Sequence, residues 1–180
     1  MSDGATELQR NVKLRGLPAH TLNIEANEAE RTALAQRFGV TAVRAMNAEC
    51  DFAETGEGVL VTGALSARIV QPCAVTRDDF TYEIDETLCL LFVPAGQLTE
   101  FAEDEEIELD ASAPDEIEYE GDSFDLGEAL AQTLGLAIDP YREGPDADAA
   151  RVEAGIESDE DVEAAPKGPL AEALRGLEIT

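Results

Sequence analysis

Two apolar spacings alternate along the first 140 residues, and each predicts a different element. Over NEAERTALAQRFG, residues 27–39, Leu34 and Phe38 recur four apart, which predicts a helix. Asn27 can cap its first free amides, Glu30 stands three residues on as in a capping box, and Gly39 can adopt the left-handed conformation that ends it. From Thr41 the period falls to two. Ala48, Cys50 and Phe52 alternate with Glu49 and Asp51 until TGEG at 55–58 supplies a turn. The next run puts Val59, Val61, Leu65, Ala67, Ile69, Cys73 and Val75 on one side, interrupted by Gly63 and Gln71. A third, FTYEIDETLCLLF, sets Phe80, Tyr82, Ile84, Leu88, Leu90 and Phe92 against Thr81, Glu83, Asp85 and Thr87, and Pro94 with Gly96 closes it. Upstream, residues 11–26 hold short alternations broken by Gly16 and Pro18, which fit one or two strands. Consecutive strands joined by short turns predict an antiparallel meander.

Beyond the third strand, Ile107 with Leu109 and Ile117 with Tyr119 alternate with acids, as two short half-buried strands would, although low-complexity disorder competes with that reading. DLGEALAQTLGL then predicts a second helix. Asp125 caps it, Glu128 lies three residues on, Leu126, Leu130 and Leu134 form one stripe, and Gly135 and Pro140 mark its end. Residues 141–166 are so poor in aliphatic side chains that burial cannot offset the entropy of ordering them, which predicts a flexible tail. In the last segment Leu170, Leu174 and Leu177 follow helical spacing behind Pro169, which fits a short amphipathic piece on a tether, with a frayed terminus as the competing reading. The expectation is therefore an α+β domain over residues 1–140 and an acidic tail over 141–180. The domain is a twisted antiparallel sheet of five or six strands with two packed helices, with some tendency to curl toward a barrel.

Charge changes what such a domain is expected to do. Forty acidic residues face twelve basic ones, a formal net of −28. Residues 1–77 hold nine acids and eight bases, residues 78–180 thirty-one acids and four bases, and no Lys or Arg lies between Arg77 and Arg142. Such a field repels polyanions at long range and suits a basic partner. A solvated surface adapted to salt is the competing explanation. No apolar run approaches the ~20 residues of a membrane span, and MSDGATELQR is not a signal peptide, so a cytoplasmic protein without membrane contact is expected.

Little catalytic chemistry is on offer. One histidine, His20, cannot build a relay or a multi-histidine metal site. GEG and LRGLPA lack the spacing and the lysine of phosphate loops, and DEEIELD lacks EF-hand spacing. No enzyme activity, cofactor or metal is expected. The cysteines, Cys50, Cys73 and Cys89, are odd in number and have no C-x-x-C pair, so reduced thiols are expected. Parity places Cys73 on the inward face with Ile69. Its only nearby cation in sequence is Arg77, so a buried hydrophobic role is the expectation, with Pro72 able to introduce a bulge that reverses the face.

Three pieces in order then resemble the YceD proteins, the large ribosomal RNA subunit accumulation proteins, over roughly residues 40–140. They are GEGVLVTGALSARIVQPCAVTRDDF, LCLLFVPA followed by acids, and DSFDLGEALAQTLGLAIDPY. In the family the first strand runs into a short cysteine motif. Cys73 matches its first cysteine, but Thr76 stands where a second often lies, so a paired-thiol or zinc role is unavailable here. The matching helix start is Asp125, Leu126, Gly127 and Glu128. The resemblance implies a non-enzymatic part in accumulation of 23S ribosomal RNA. With the charge, it gives an expected partner: a basic ribosomal or assembly protein bound by an acidic face of Glu103, Asp104, Glu105, Glu106, Glu108 and Asp110, with RNA contact indirect or weak. The alternative is direct RNA contact through Lys13, Arg15, Arg31, Arg37 and Arg44, with Arg31, Arg37 and Arg44 able to share a face of the first helix.

Overall fold

The computed structural model describes residues 7–97 and 113–156. The described elements run β1 (Asn11–Lys13), β2 (Leu22–Glu25), α1 (Glu28–Phe38), β3 (Ala42–Glu54), β4 (Val59–Pro72), β5 (Asp79–Pro94), β6 (Asp115–Tyr119), β7 (Ser123–Asp125), α2 (Leu126–Ala137) and α3 (Ala147–Glu153). Five strands form one sheet in the order β2-β3-β4-β5-β6, and β1 pairs with β7 in a separate ribbon.

The long strands follow the alternation that predicted them. Val61, Leu65, Ile69, Leu88, Leu90 and Phe92 are buried, and Thr62, Ser66, Arg68, Glu83, Asp85 and Thr87 are exposed. In the register that pairs Ile69 with Tyr82 and Val61 with Leu90, the apolar sets of β4 and β5 lie side by side. Helices α1 and α2 and the β1–β7 ribbon contribute Leu34, Leu126, Leu130, Leu134, Val12 and Phe124 to the same core, where the Phe92 and Phe124 rings stack at 4.0 Å. A fully buried side chain of this size contributes about 1.5–3 kcal/mol. Helix α1 begins as its residues dictate: Asn27 Oδ1 accepts from the amides of Ala29 and Glu30, and the Glu30 carboxylate accepts in turn from the Asn27 amide. Gly39 ends it at φ 67°.

Three features depart from the expected meander. First, β6 runs parallel to β5, so the sheet is mixed. The alternation of Ile117 and Tyr119 marks a strand but carries no information about its direction. Second, β2 and β6 are separate edges, so the sheet does not close into a barrel. Third, the chain beyond residue 140 does not leave the domain at once. Residues 139–144 dock on the β4–β5 turn, and α3 buries Ala147. Backbone hydrogen bonds and one aromatic ring hold this segment, and its aliphatic content gives no sign of either. Ile107, Leu109 and the amphipathic piece ending at Leu177 lie outside the described residues.

Candidate functional site

The Asp125–Glu128 segment is the best-built local feature, and each of its residues has a separate mechanical task. Asp125 caps α2, with Oδ1 accepting from the amides of Gly127 (3.0 Å) and Glu128 (3.3 Å), and it also accepts from the Arg10 amide at 2.9 Å. Leu126 is fully buried, and its amide bonds to the Arg10 carbonyl. Gly127 lets the chain at Leu8 to Arg10 lie directly on the helix, because a Cβ here would sit 2.0 Å from the Leu8 carbonyl oxygen. Glu128 reaches across to α1 and takes a two-pronged bond from Arg37, at 2.7 and 2.8 Å. The segment thus ties three parts of the chain together around one helix start.

That geometry redistributes the basic residues. Arg37 is held between Glu128 and Glu7, which raises its pKa above the ordinary value, the bond it donates to Glu128 being the larger cause. Arg10 is similarly raised by Glu30, whose own carboxyl is lowered by the same bond. Arg37 therefore does not share a free face with Arg31. Arg44 is on β3 and not on the helix, while Lys13 ends β1 and Arg15 lies in the turn after it. What the fold brings together is a pair: Arg31 and Arg44 line one groove of about 420 Å³ between α1 and β3.

Cys73 is buried at 2 % exposure, as parity requires, yet it stands outside the main core. Its Sγ accepts from the amides of Gly144 (3.2 Å), Val75 (3.3 Å) and Thr76 (3.4 Å). These donors, Gly144 first, pull the thiol down from 9.0 to about 7. Cys50, equally buried but without such donors, is pushed the other way by burial, to about 11. Around Cys73 a clasp closes over the turn. Gln71 accepts from the Tyr82 hydroxyl and donates to the Asp139 carbonyl, both at 2.8 Å, and the Arg142 guanidinium lies 4.2 Å from the Tyr82 ring centre. The buried hydrophobe expected at Cys73 is thus an acceptor of three amides. The sequence conceals this because the donors are backbone groups, one of them seventy-one residues away. Gln71, breaking the inward apolar pattern, was the single available sign of polar partners nearby.

The clasp should make stability depend on pH. The folded-state thiol is lowered, so the thiolate is the form that folding favours. The contribution is complete above 9.0 and is lost as pH falls through about 7. Thermal unfolding followed across that window should show the parent gaining stability with pH and Cys73→Ala showing a flatter profile. Equal slopes for the two proteins would remove the thiolate from the account.

The middle of the opposite face of the sheet is exposed, while Leu91 and Val93 on that side are buried at the end of β5. Across β3, β4 and β5 the rungs read Glu49, Ala64, Thr87 and Asn47, Ser66, Asp85, small side chains in the middle and carboxylates toward the sides. Glu49, Asp51, Glu83 and Asp85 are exposed there, and Arg68, the one cation on this face among the described residues, is bonded to Glu83 at 2.6 Å. The expected acidic-face residues Glu103, Asp104, Glu105, Glu106, Glu108 and Asp110 lie outside the described residues. Among the described residues no three His, Cys, Asp or Glu side chains are grouped so as to hold a metal ion, and no helix is long and apolar enough to cross a membrane.

Compared with known proteins, residues 61–177 match the family model described as large ribosomal RNA subunit accumulation protein YceD. The match begins within β4 and leaves α1 and β3 outside it. No curated protein matches the chain, and no solved structure matches it.

Proposed function

The chain belongs to the YceD family of large ribosomal RNA subunit accumulation proteins, and from that membership we propose that it supports the accumulation of 23S ribosomal RNA without catalysing a reaction, by holding a basic ribosomal or assembly protein. The observation that carries this reading is the exposed middle of that sheet face, where Glu49, Asp51, Glu83 and Asp85 flank a floor of Ala64 and Ser66. The acids at 103–110 extend the same sign of charge along the chain. A Lys- and Arg-rich protein would be steered to this surface, screened there from non-specific contacts, and surrendered to the denser phosphate charge of ribosomal RNA. Exposed charges interact over a Debye length of about 10 Å at ~0.1 M salt, so the complex should be salt-labile.

Affinity purification from the native host at low and at high salt tests this. The expected result is recovery of a basic ribosomal or assembly protein at low salt and its loss at high salt. Recovery should also weaken when Glu49, Asp51, Glu83 and Asp85 become Gln or Asn, or when the acids at 103–110 do. The reading fails if no such protein is recovered at low salt, or if recovery ignores both sets of substitutions.

A further inference from the structure

One strand edge left open in the described structure belongs to β3, and it lies outside both the acidic face and the span matched by the family. On the side away from β4, β2 pairs only with Asn47 to Cys50, and Ala26 donates its amide to the Met46 carbonyl. No described strand pairs with Ala42 to Ala45 on that side. An uncovered strand edge offers amides and carbonyls to any extended chain that reaches it. Here the edge forms one wall of the 420 Å³ groove whose other wall is α1, with Arg31, Thr32 and Gln36 from the helix and Ala42, Val43 and Arg44 from the strand.

The groove carries cationic charge that no carboxylate of the described residues neutralises, whereas Arg10, Arg37, Arg68 and Arg151 are each paired with one. Arg31 and Arg44 form no ion pair among the described residues, although Arg31 donates to the Ala26 carbonyl at 2.6 Å. Arg44 is also the residue that has no register partner on β4, because the β3–β4 ladder shifts between Val43 and Ala45. A bulge of this kind re-aims a side chain, and Arg44 lines the groove. Bulges also guard edges against indiscriminate pairing; a guard that presents a guanidinium discriminates by charge, favouring a strand that brings carboxylates. Glu28 on the groove's rim adds to that selection by disfavouring a strand with acids along its whole length.

We infer that the α1–β3 groove is a docking site for an extended peptide segment of a partner protein, added as a strand along Ala42–Ala45 with one or two carboxylates set against Arg31 and Arg44. Strand addition draws its affinity from main-chain hydrogen bonds and its specificity from side-chain pockets, which matches an open edge beside a cationic groove. RNA fits less well. Its affinity is led by phosphate charge spread over many nucleotides, and beyond this pair of arginines it meets a chain of net −28. A short segment with one or two acids stays within about one Debye length, ~10 Å, of the arginines. This inference is independent of the reading that assigns a basic partner to the opposite sheet face.

The test titrates the full-length protein with three probes: a peptide alternating valine and glutamate limited to two glutamates, its valine–lysine counterpart, and a uridine homopolymer, each followed through backbone amide resonances. The glutamate peptide should shift the amides of Ala42 to Ala45 with those of Thr32 and Gln36. The double substitution Arg31→Gln, Arg44→Gln should weaken it about tenfold or more, the loss expected of two charge-assisted contacts. Three results would each overturn the inference: no perturbation at those amides, equal binding of the lysine peptide, or binding of the uridine polymer in the groove by a protein that ignores the glutamate peptide.

Discussion

Ile69→Asp is expected to leave no folded protein at room temperature. Ile69 is completely buried toward the end of β4, the central strand of the sheet, between Val43 of β3 and Tyr82 of β5. Replacing it forfeits about 1.5–3 kcal/mol of burial. It also places a carboxylate at a fully buried position among apolar side chains, which costs several kcal/mol more or forces its protonation. The sum is comparable with the roughly 5–15 kcal/mol by which a domain is stable at all. Ser66→Lys is the matching control, three residues away on the same strand but on the exposed face and opposite Asp85. It should change stability by no more than ~0.5 kcal/mol. Far-ultraviolet circular dichroism with thermal unfolding separates the two outcomes. A cooperative transition retained by Ile69→Asp would mean that the inward face of β4 is not the core.

What could be read from the sequence follows from where the determining contacts lie. Asn27 with Glu30, and Asp125 with Gly127 and Glu128, act over two or three residues, so both helix starts were visible as spacing. The inward faces of β4 and β5 were visible because burial on one side of a sheet writes itself into alternate positions. At the end of β5 that signal disappears, since Leu91 and Val93 are buried along with Leu90 and Phe92. Strand direction was hidden, because nothing in Ile117 and Tyr119 distinguishes parallel from antiparallel pairing. The clasp was hidden too: its donors are the amide of Gly144 and its acceptors the sulfur of Cys73 and the carbonyl of Asp139, groups that every sequence has or whose partners are distant. The basic residues show the same limit. Counting charges located Arg31, Arg37 and Arg44, but only the fold commits Arg37 to Glu7 and Glu128 and leaves Arg31 and Arg44 together.

Gly127→Ala sets two effects against each other, and their sizes decide the sign. In an exposed helix the change would stabilise by about 0.5–1 kcal/mol, because glycine loses more backbone freedom on folding than alanine. Here the added methyl would stand 2.0 Å from the carbonyl oxygen of Leu8, 2.7 Å from its carbon and 2.8 Å from the Arg10 nitrogen. These are backbone atoms, so no rotamer change relieves the contact. The segment must move, and overpacking of that sort costs about 1–3 kcal/mol, occasionally more. Displacing it also loosens the bonds from the Arg10 amide to Asp125 and from the Leu126 amide to the Arg10 carbonyl, and exposes Leu8, which is otherwise completely buried. A net loss of about 2–4 kcal/mol is therefore expected, with the overpacking and the lifted hydrogen bonds outweighing the helix gain. The position of the damage is as diagnostic as its size. Hydrogen exchange at Leu126 and at the β1–β7 ribbon should accelerate well before the β4–β5 ladder does, because the strain enters through the chain leading into β1. An alanine variant as stable as the parent would show that the close approach of Leu8 to α2 does not hold in solution. It would also withdraw the mechanical explanation of the Asp125–Glu128 segment.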